Sequence, residues 1–458
     1  MFVPKIEKLI AIEAYATRSL GIGGIIRRSV EDFVVEELLV DGSKAMITPS
    51  VGSGVLGSSD VKSRYLLCVL VKRNWDMLAA VKVVADQLDI AVQRIAIAGI
   101  KDAKAVTAQH VTIEGTSFED VQKVNAKDIE LYPVGYVRNK LSAFYLLGNS
   151  FRIVISSINQ TGSAINKRIG QTVEEIKLFG GVPNFFGHQR FGTTRPITHL
   201  VGKAIVKGDF RKAVMLFLAK PSPREHFASR KAREELRVTQ DFKQAFCNFP
   251  RQLRYERFML KRLAEKSDDY VGAFRRLPVK LQELFVQAYQ SYLFNKFLSG
   301  RIVAGFRLDR AEVGDYVVNV ERSGLPMTVM HKTVDANALN EINEKIKAGK
   351  MRTALPLVGF KQSTSQGAQG EIEKQILEKE GVSLENFKIE MLPELTTRGE
   401  LRTAITPLNN FLLDEISRDT DNLAKYKAKL SFTLFRGSYA TIVLRELMKP
   451  RSPIKAGF

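Results

Sequence analysis

Asp102 stands between two lysines in the stretch AGIKDAKAVTAQH, which covers residues 98–110. The stretch follows an apolar alternation, RIAIAGI, and becomes apolar again after Lys104. A carboxylate flanked by Lys101 and Lys104 at such a junction has two interpretations. It is either a solvated charge in a surface loop or a group held in place for acid–base or nucleophilic chemistry.

Three other stretches concentrate polar and aromatic side chains. IIRRSVEDFVVEE (25–37) joins a basic pair to an acidic, strand-forming segment. LLGNSFRIVI (146–155) contains Gly148-Asn149, which is typical of a tight turn, just before a strand-like run. VPNFFGHQRFGTTRP (182–196) brings aromatic residues, glycines and polar groups together. Taken one at a time, each stretch favours a structural role: exposed strand charges, a turn, or buried aromatic rings.

Several other kinds of site are not indicated by the sequence. The five histidines show no i,i+4 pair and no acidic partner at ligand spacing, so we expect no metal site. The G-x-S-x-G elbow of hydrolases and the P-loop of nucleotide-binding proteins are both missing, so we expect neither a hydrolase of that type nor the use of ATP. Cys68 and Cys247 are far apart, which argues against a disulfide framework and favours a cytoplasmic location.

The charge of the chain points to a polyanionic partner. Its 458 residues carry a formal net charge of +20, which favours nucleic acid or an anionic membrane surface. No apolar run reaches the roughly 18 residues that span a bilayer, so nucleic acid is the favoured partner. Residues 201–280 hold 20 Lys/Arg and 9 Asp/Glu, a net +11. Aromatic residues alternate there with Arg251, Arg254 and Arg257, as on an RNA-binding surface.

Strand-like and helix-like patterns are mixed in the first 180 residues. The segments DFVVEELLV, RYLLCVLVKR, RIAIAGI, QHVTIEG and FRIVISSI are rich in β-branched and apolar residues, which predicts strands. Apolar residues at helical spacing predict helices over 77–88 and 165–176, the second ended by Gly180-Gly181. Because there is no regular βαβ repeat, we expect an α+β fold.

After residue 180 the predicted secondary structure changes twice, first to mainly helices and then back to strands. Residues 200–300 are mostly helical in pattern, and the polar stretch 361–370 predicts a loop before a helix over 371–380. Residues 428–447, AKLSFTLFRGSYATIVLREL, predict two strands, or a strand and a helix. This order predicts a helix-rich domain inserted into a first domain, whose sheet the C-terminal segment completes.

Together these stretches resemble the TruD family of tRNA pseudouridine synthases. The family's G-x-K-D-x-x-A-V-T-x-Q motif matches residues 99–109, and its E-D-F-x-V-x-E segment matches from residue 31 onward. Its G-N-x-F segment matches 148–151, and V-P-N-[YF]-F-G-x-Q-R-F-G matches 182–192. Its G-S-[FY]-A-T-x-x-x-R-E-L segment matches 437–447. The matches follow the family's order.

The resemblance implies a pseudouridine synthase catalytic fold, a mixed, largely antiparallel sheet flanked by helices. It also implies a large, helix-rich α+β inserted domain, as in archaeal members. We therefore expect residues 1–180 and 404–458 to form the catalytic domain and residues 181–403 to form the insertion.

The implied activity is the isomerisation of a uridine in tRNA to pseudouridine, at uridine 13 in the D-arm region. The reaction needs no cofactor, because uracil is a tolerable leaving group and its C5 is nucleophilic, and we expect the protein to be a monomer. By the residue match, Asp102 is the catalytic carboxylate. Burial favours the protonated form of a carboxylate and a nearby cation opposes it. Arg27, at a basic position of the family, is the expected cation.

The resemblance also suggests roles for further residues. Phe151 would stack on the extruded base, and Asn149 would hydrogen-bond the uracil or position the Asp102 loop. We expect one group to line the cleft between the domains: Gln189, Arg190 and Phe191. A second group would face RNA: Lys101, Lys104, Arg251, Arg254 and Arg257. Lys101 is disfavoured as the partner of Asp102 because neighbours on a strand point to opposite faces.

Two other functions remain open at this point. The first is a catalytically inactive RNA-binding protein on the same scaffold. The second is a retaining glycosidase, which needs a second carboxylate about 5 Å from Asp102. Glu31, Asp32 and Glu36 are its candidates.

Overall fold

The computed structural model describes residues 2–48 and 54–458, which fold into two compact units. The sheet unit consists of Thr17–Val182, Glu321–Leu325 and Thr406–Phe458. The helical unit consists of Met1–Ala16, Pro183–Val320 and Pro326–Ile405. The short strands β7 (Val182–Pro183) and β12 (Ile405–Thr406) lie where the chain passes from one unit to the other.

The sheet unit is built on one eight-stranded sheet. Its strands are β1 (Phe33–Leu39), β2 (Tyr65–Arg73), β3 (Ile95–Ile97), β4 (Val106–Glu114), β5 (Ile129–Val137), β6 (Leu146–Ile158), β13 (Asn409–Asp419) and β14 (Asn422–Phe435). The order is β13-β14-β6-β1-β4-β2-β5, with β3 beside β4. Strands β1 and β4 run parallel, whereas the other neighbours are antiparallel. The C-terminal strands therefore extend the sheet begun by the first 180 residues.

Two helices cover one end of this sheet. Helix α4 (Gly162–Leu178) is capped at its N-terminus by Thr161, whose side chain accepts a hydrogen bond from the Ala164 N–H. Helix α14 (Ala440–Met448) follows β14. Apolar residues of α4 recur three or four positions apart, so they form one face and share a core with Phe151 and Phe432 of the sheet.

A second core lies under helix α2 (Met77–Gln87), whose N-terminus is capped by the Asp76 carboxylate. Its apolar face packs with Leu66, Cys68 and Leu70 of β2. The short helix α3 (Phe118–Gln122) completes the unit.

The helical unit contains most of the helices. They are α1 (Lys5–Lys8), α5 (Thr198–Val206), α6 (Phe210–Ala219), α7 (Phe227–Thr239), α8 (Phe242–Asn248), α9 (Arg254–Glu265), α10 (Tyr270–Phe274), α11 (Val279–Val303), α12 (Leu339–Lys347) and α13 (Gly367–Glu380). Its sheet has the order β11-β10-β8-β9, with β8 (Tyr316–Val320), β9 (Pro326–Thr333), β10 (Met351–Leu357) and β11 (Glu400–Thr403). No helix in the described ranges is long and apolar enough to cross a membrane.

The predicted α+β class is confirmed, and so are the strands and helices predicted before residue 180. Residues 428–447 form a strand and a helix rather than two strands. The polar stretch 361–370 is a loop only up to Gln366, because α13 starts at Gly367. Backbone N–H groups there are satisfied locally: the Gly370 N–H donates to the Gln366 carbonyl.

Candidate active site

Asp102 lies in the loop between β3 and β4, with its side chain 34% exposed. Its Oδ1 accepts a hydrogen bond from Arg27 Nη2 at 2.9 Å. The loop is not a strand, so the strand argument used to separate Lys101 from Asp102 does not apply to it. The carboxylate of Asp102 is therefore partly exposed to solvent, whereas the guanidinium with which it pairs is largely buried.

The backbone at Arg27 is unusual, because its φ is 57° in the left-handed region. For a residue with a side chain this conformation costs on the order of 1 kcal/mol. The side chain is aimed by its surroundings: the guanidinium carbon lies 4.0 Å from the centroid of the Phe33 ring, and Nη1 donates to the Gly457 carbonyl at 3.4 Å. Burial lowers the pKa of Arg27 and the charge of Asp102 partly opposes this. The expected pairing of Arg27 with Asp102 is present in the structure.

A second cation, Lys72 at the end of β2, holds the main chain of the same residue. Its Nζ donates to the Asp102 carbonyl oxygen at 2.6 Å, and the residue is fully buried. Burial lowers the pKa of Lys72 to about 8, although the negative charges of Asp102 and Asp76 act to raise it. Arg27 and Lys72 therefore hold the side chain and the backbone of Asp102 separately.

Lys101 is not an RNA-facing residue, which corrects the prediction from the sequence. Its side chain is 3% exposed, and Nζ lies 2.7 Å from Oε1 of the buried Glu37. The other carboxylate oxygen of Glu37 accepts the His110 backbone N–H at 2.9 Å. Burial alone would raise the pKa of Glu37. The hydrogen bonds and charges of His110 and Lys101 lower it by more, so the pKa lies below its usual value. A buried lysine must be paired, and Glu37 is the partner that the β1 register provides.

The Asp102 loop is thus anchored to three strands. Lys72 belongs to β2, Glu37 to β1, and Gln109 of β4 donates from Nε2 to the Gly99 carbonyl at 3.3 Å. These contacts fix the loop on both sides of Asp102. A fixed loop is what a carboxylate needs if it is to meet a substrate atom at one defined place.

Gly148 and Asn149 lie inside β6 and not in a turn, which also corrects the prediction. Gly148 is required because a Cβ there would lie 2.1 Å from the Leu434 carbonyl oxygen of β14. Asn149 is half-buried, and among the described atoms its Oδ1 finds no hydrogen-bond partner.

Phe151 is only 4% exposed. Its ring packs edge-on against Phe33 at 6.2 Å and lies 5.4 Å from Phe432. This burial differs from the open stacking surface that we expected from the resemblance. Phe33, under the Arg27 guanidinium, is the ring that Phe151 supports.

The segment 182–192 belongs mostly to the helical unit, whereas Asp102 belongs to the sheet unit. Gln189 is exposed. Arg190 is half-buried and donates to Ser291 Oγ at 3.1 Å and to Gln287 Oε1 at 3.2 Å. Phe191 is fully buried against His199, so it does not line a cleft; this expectation is wrong because the ring fills the core beside α5.

The predicted RNA-facing residues fall into two groups. Lys104, Arg251 and Arg254 are exposed. Arg257 is not available in the same way, because its Nη1 donates to the carbonyls of Phe246 and Phe249 at 2.7 and 2.9 Å. It closes the end of α8, which argues against the predicted RNA contact of Arg257.

Two of the three glycosidase candidates are engaged elsewhere, and the third, Glu31, is exposed. Glu36 pairs with Lys44 at 2.6 Å and with Arg152 at 3.4 Å. Asp32 accepts the Ser29 N–H at 2.8 Å. In the part of the chain that the structure describes, no group of three or more His, Cys, Asp and Glu side chains could hold a metal ion.

Comparison with known proteins gives the family of the chain. The family model for tRNA pseudouridine synthase D (TruD) matches residues 9–447. The chain belongs to the TruD family of tRNA pseudouridine synthases. It is similar to curated archaeal proteins named "Probable tRNA pseudouridine synthase D": 39% identical to one from Methanosarcina mazei over 98% of both chains, and 36% to one from Thermococcus onnurineus over 95% of this chain and 97% of the relative.

The crystal structure of a TruD protein from Methanosarcina mazei has the same fold. It matches with a TM-score of 0.83 at 39% identity and covers 99% of this chain and all of the other. The predicted pseudouridine synthase fold and the predicted enzyme class, an isomerase of the TruD family, are confirmed.

Two residues of this candidate site were missed in the sequence, Lys72 and Phe33. Lys72 had a usable signal: it is a lysine in the otherwise apolar run YLLCVLV-K of a strand whose other neighbours are buried. A charge at such a position needs a specific partner. Phe33 belongs to the matched E-D-F motif, but nothing in its type distinguishes it from a core aromatic residue.

Proposed function

We propose that this protein isomerises a uridine of tRNA to pseudouridine, with Asp102 as the catalytic carboxylate. The observation that carries the proposal is the ion pair between Arg27 and a partly exposed Asp102 on an anchored loop. The family resemblance suggests uridine 13 in the D-arm region as the target. Membership of the TruD family supports tRNA as the substrate.

The chemistry requires one ionised carboxylate near the ribose. The N1–C1′ bond of the nucleotide breaks, the uracil rotates, and its C5 forms the new bond to C1′ with loss of the C5 proton. Asp102 either attacks C1′ or removes the C2′ proton to give a glycal. In either route Arg27 Nη2 holds Asp102 Oδ1 in place through the ion pair at 2.9 Å.

Two further residues would act on the uracil. Asn149 Oδ1 is a buried acceptor that finds no partner within the described residues, and a uracil N–H would satisfy it. We assign to Phe151 a supporting role: it packs behind Phe33 and so stabilises the wall that carries Arg27.

The units take the roles that the resemblance suggests. The sheet unit would be the catalytic domain, interrupted by the helical unit as the inserted domain. Exposed basic residues, Lys104 in the first and Arg251 and Arg254 in the second, would contribute phosphate contacts whose strength decreases with salt.

The deciding experiment uses an unmodified tRNA transcript and maps pseudouridine after incubation with the protein. We expect one modified uridine with wild type, and a rate at least about 10²-fold lower with Asp102→Asn. Asp268→Asn is the matched control, since Asp268 is an exposed carboxylate in the helical unit.

The outcomes separate the alternatives. Unchanged activity in Asp102→Asn contradicts the role of Asp102. Tight tRNA binding by a wild-type protein that forms no pseudouridine supports the inactive RNA-binding protein. Modification at a uridine other than 13 retains the reaction and overturns the target.

A further inference from the structure

A cavity in the helical unit is lined by arginines. Its volume is about 460 Å³, which lies in the range of small-ligand sites. Arg190, Arg398 and Arg402 contribute three positive charges to its lining and Glu400 one negative charge. Such a balance favours an anionic occupant.

Two of the guanidinium groups are held in fixed orientations. Arg402 donates to the Asn184 carbonyl at 3.0 Å and to Asn184 Oδ1 at 2.7 Å, and it lies 4.0 Å from the Phe186 ring centroid. Arg190 is held by Ser291 and Gln287, and it lies 5.6 Å from the same ring. Arginines oriented beforehand lose little conformational entropy when they bind a phosphate.

The third arginine is presented by a tightly packed turn. Gly399 has φ +81°, and a Cβ there would lie 2.7 Å from the Gly359 nitrogen. Gln290, from α11, donates to the Val358 carbonyl at 2.6 Å and to Thr397 Oγ1 at 3.1 Å. The Arg398 side chain therefore projects from a wall that the fold holds in place.

We propose that this cavity, lined by Arg190, Arg398 and Arg402 around Phe186, binds a phosphate-bearing nucleotide of the RNA substrate. The proposal rests on the proposed function and extends it, because it gives the helical unit a specific contact in addition to its general positive charge. The arginines bind the phosphate through charge-assisted hydrogen bonds. The amide of Gln287 at the rim can pair with a base edge.

The test measures tRNA affinity against salt concentration in an Asp102→Asn background, so it does not depend on which residue is catalytic. Arg398→Gln removes one phosphate contact, so the magnitude of the negative slope of log K against log salt should decrease by about 0.7 to 0.9. The affinity for tRNA at 0.15 M salt should decrease by about fivefold. Glu400→Gln removes a negative charge and is expected to tighten binding. Arg310→Gln, at another exposed arginine of the same unit, is the matched control.

A second arm distinguishes RNA from a free mononucleotide. AMP is titrated into wild type and Arg398→Gln by calorimetry at constant ionic strength. Equal slopes for Arg398→Gln and Arg310→Gln overturn the proposal. Sub-millimolar AMP binding that requires Arg398, with an unchanged tRNA slope, also overturns it in favour of a free nucleotide. Absence of pseudouridine formation by wild type contradicts the proposed function and leaves these slopes unaffected.

Discussion

Asp102 contacts two cations that come from different parts of the sheet unit. Arg27 precedes β1 and contacts the side chain, while Lys72 ends β2 and contacts the backbone carbonyl. Arg27 forms an ion pair with the carboxylate oxygen Oδ1. Lys72 acts on its position, which makes Lys72 a positioning residue and not a catalytic one.

Lys72→Met is expected to lower kcat by about 30-fold and to leave the Kd for tRNA unchanged. The reason is the loss of one buried, charge-assisted hydrogen bond to the Asp102 loop, worth about 2 kcal/mol. Single-turnover rates and tRNA binding measured on the same preparation separate the two constants.

The pH profile distinguishes this role from a purely structural one. Because burial lowers the pKa of Lys72 to about 8, its ammonium is present below that pH and is lost above it. Wild-type kcat should therefore fall as pH rises through about 8, and Lys72→Arg, which stays charged, should remain flat to higher pH. A wild-type profile without a step near pH 8 would count against the assignment.

At the scale of elements, the site depends on how closely two strands approach. Gly148 of β6 faces Leu434 of β14 with no room for a side chain, since a Cβ would lie 2.1 Å from a backbone oxygen. Asn149 and Phe151 lie on the same strand, and Phe151 packs against Phe33 beneath the Arg27 guanidinium. Their positions therefore depend on this glycine.

Gly148→Ala should destabilise the protein by about 3 kcal/mol or more, because neither backbone can move without breaking the ladder. Chemical denaturation measures the change. Gly170→Ala is the control: it lies exposed on α4, a Cβ there would meet nothing within 4 Å, and alanine should stabilise by about 0.5 to 1 kcal/mol. Equal effects of the two substitutions would refute the argument from close approach.

At the scale of the whole molecule, the positive charge does not act as one uniform surface. Of the arginines near α9, Arg254 is exposed, whereas Arg257 is committed to backbone carbonyls at the end of α8. Two arginines three positions apart in sequence thus have different roles, one exposed to solvent and one bound to backbone carbonyls, and substituting each should affect a different property.

Arg254→Gln is expected to lower the salt slope of tRNA binding by about 0.9 without changing the melting temperature. Arg257→Gln is expected to do the reverse: an unchanged slope and a destabilisation of about 1 to 2 kcal/mol, from the loss of two hydrogen bonds to carbonyls. Filter binding over a salt series and thermal melts provide both readouts. A lowered slope in Arg257→Gln would return that residue to the RNA-binding surface.

Much of the local structure could be predicted because it depends on neighbours in the chain. The continuous apolar run in RYLLCVLVKR and the helical spacing over 165–176 correctly predicted β2 and α4. The motif around Asp102, together with the other matched stretches, was sufficient to assign the family. The prediction of a turn at Gly148-Asn149 was wrong, because a glycine is also favoured where one strand approaches another too closely for a side chain.

The sequence by itself determined the α+β class, the family and the candidate carboxylate. Only the tertiary structure decided which groups surround that carboxylate. Lys101, its neighbour in sequence, is paired with Glu37, while Lys72, thirty positions away, reaches the Asp102 carbonyl. The physical reason is that these contacts are set by strand order and register: β2 and β1 both pair with β4, so their charged residues meet the loop before β4.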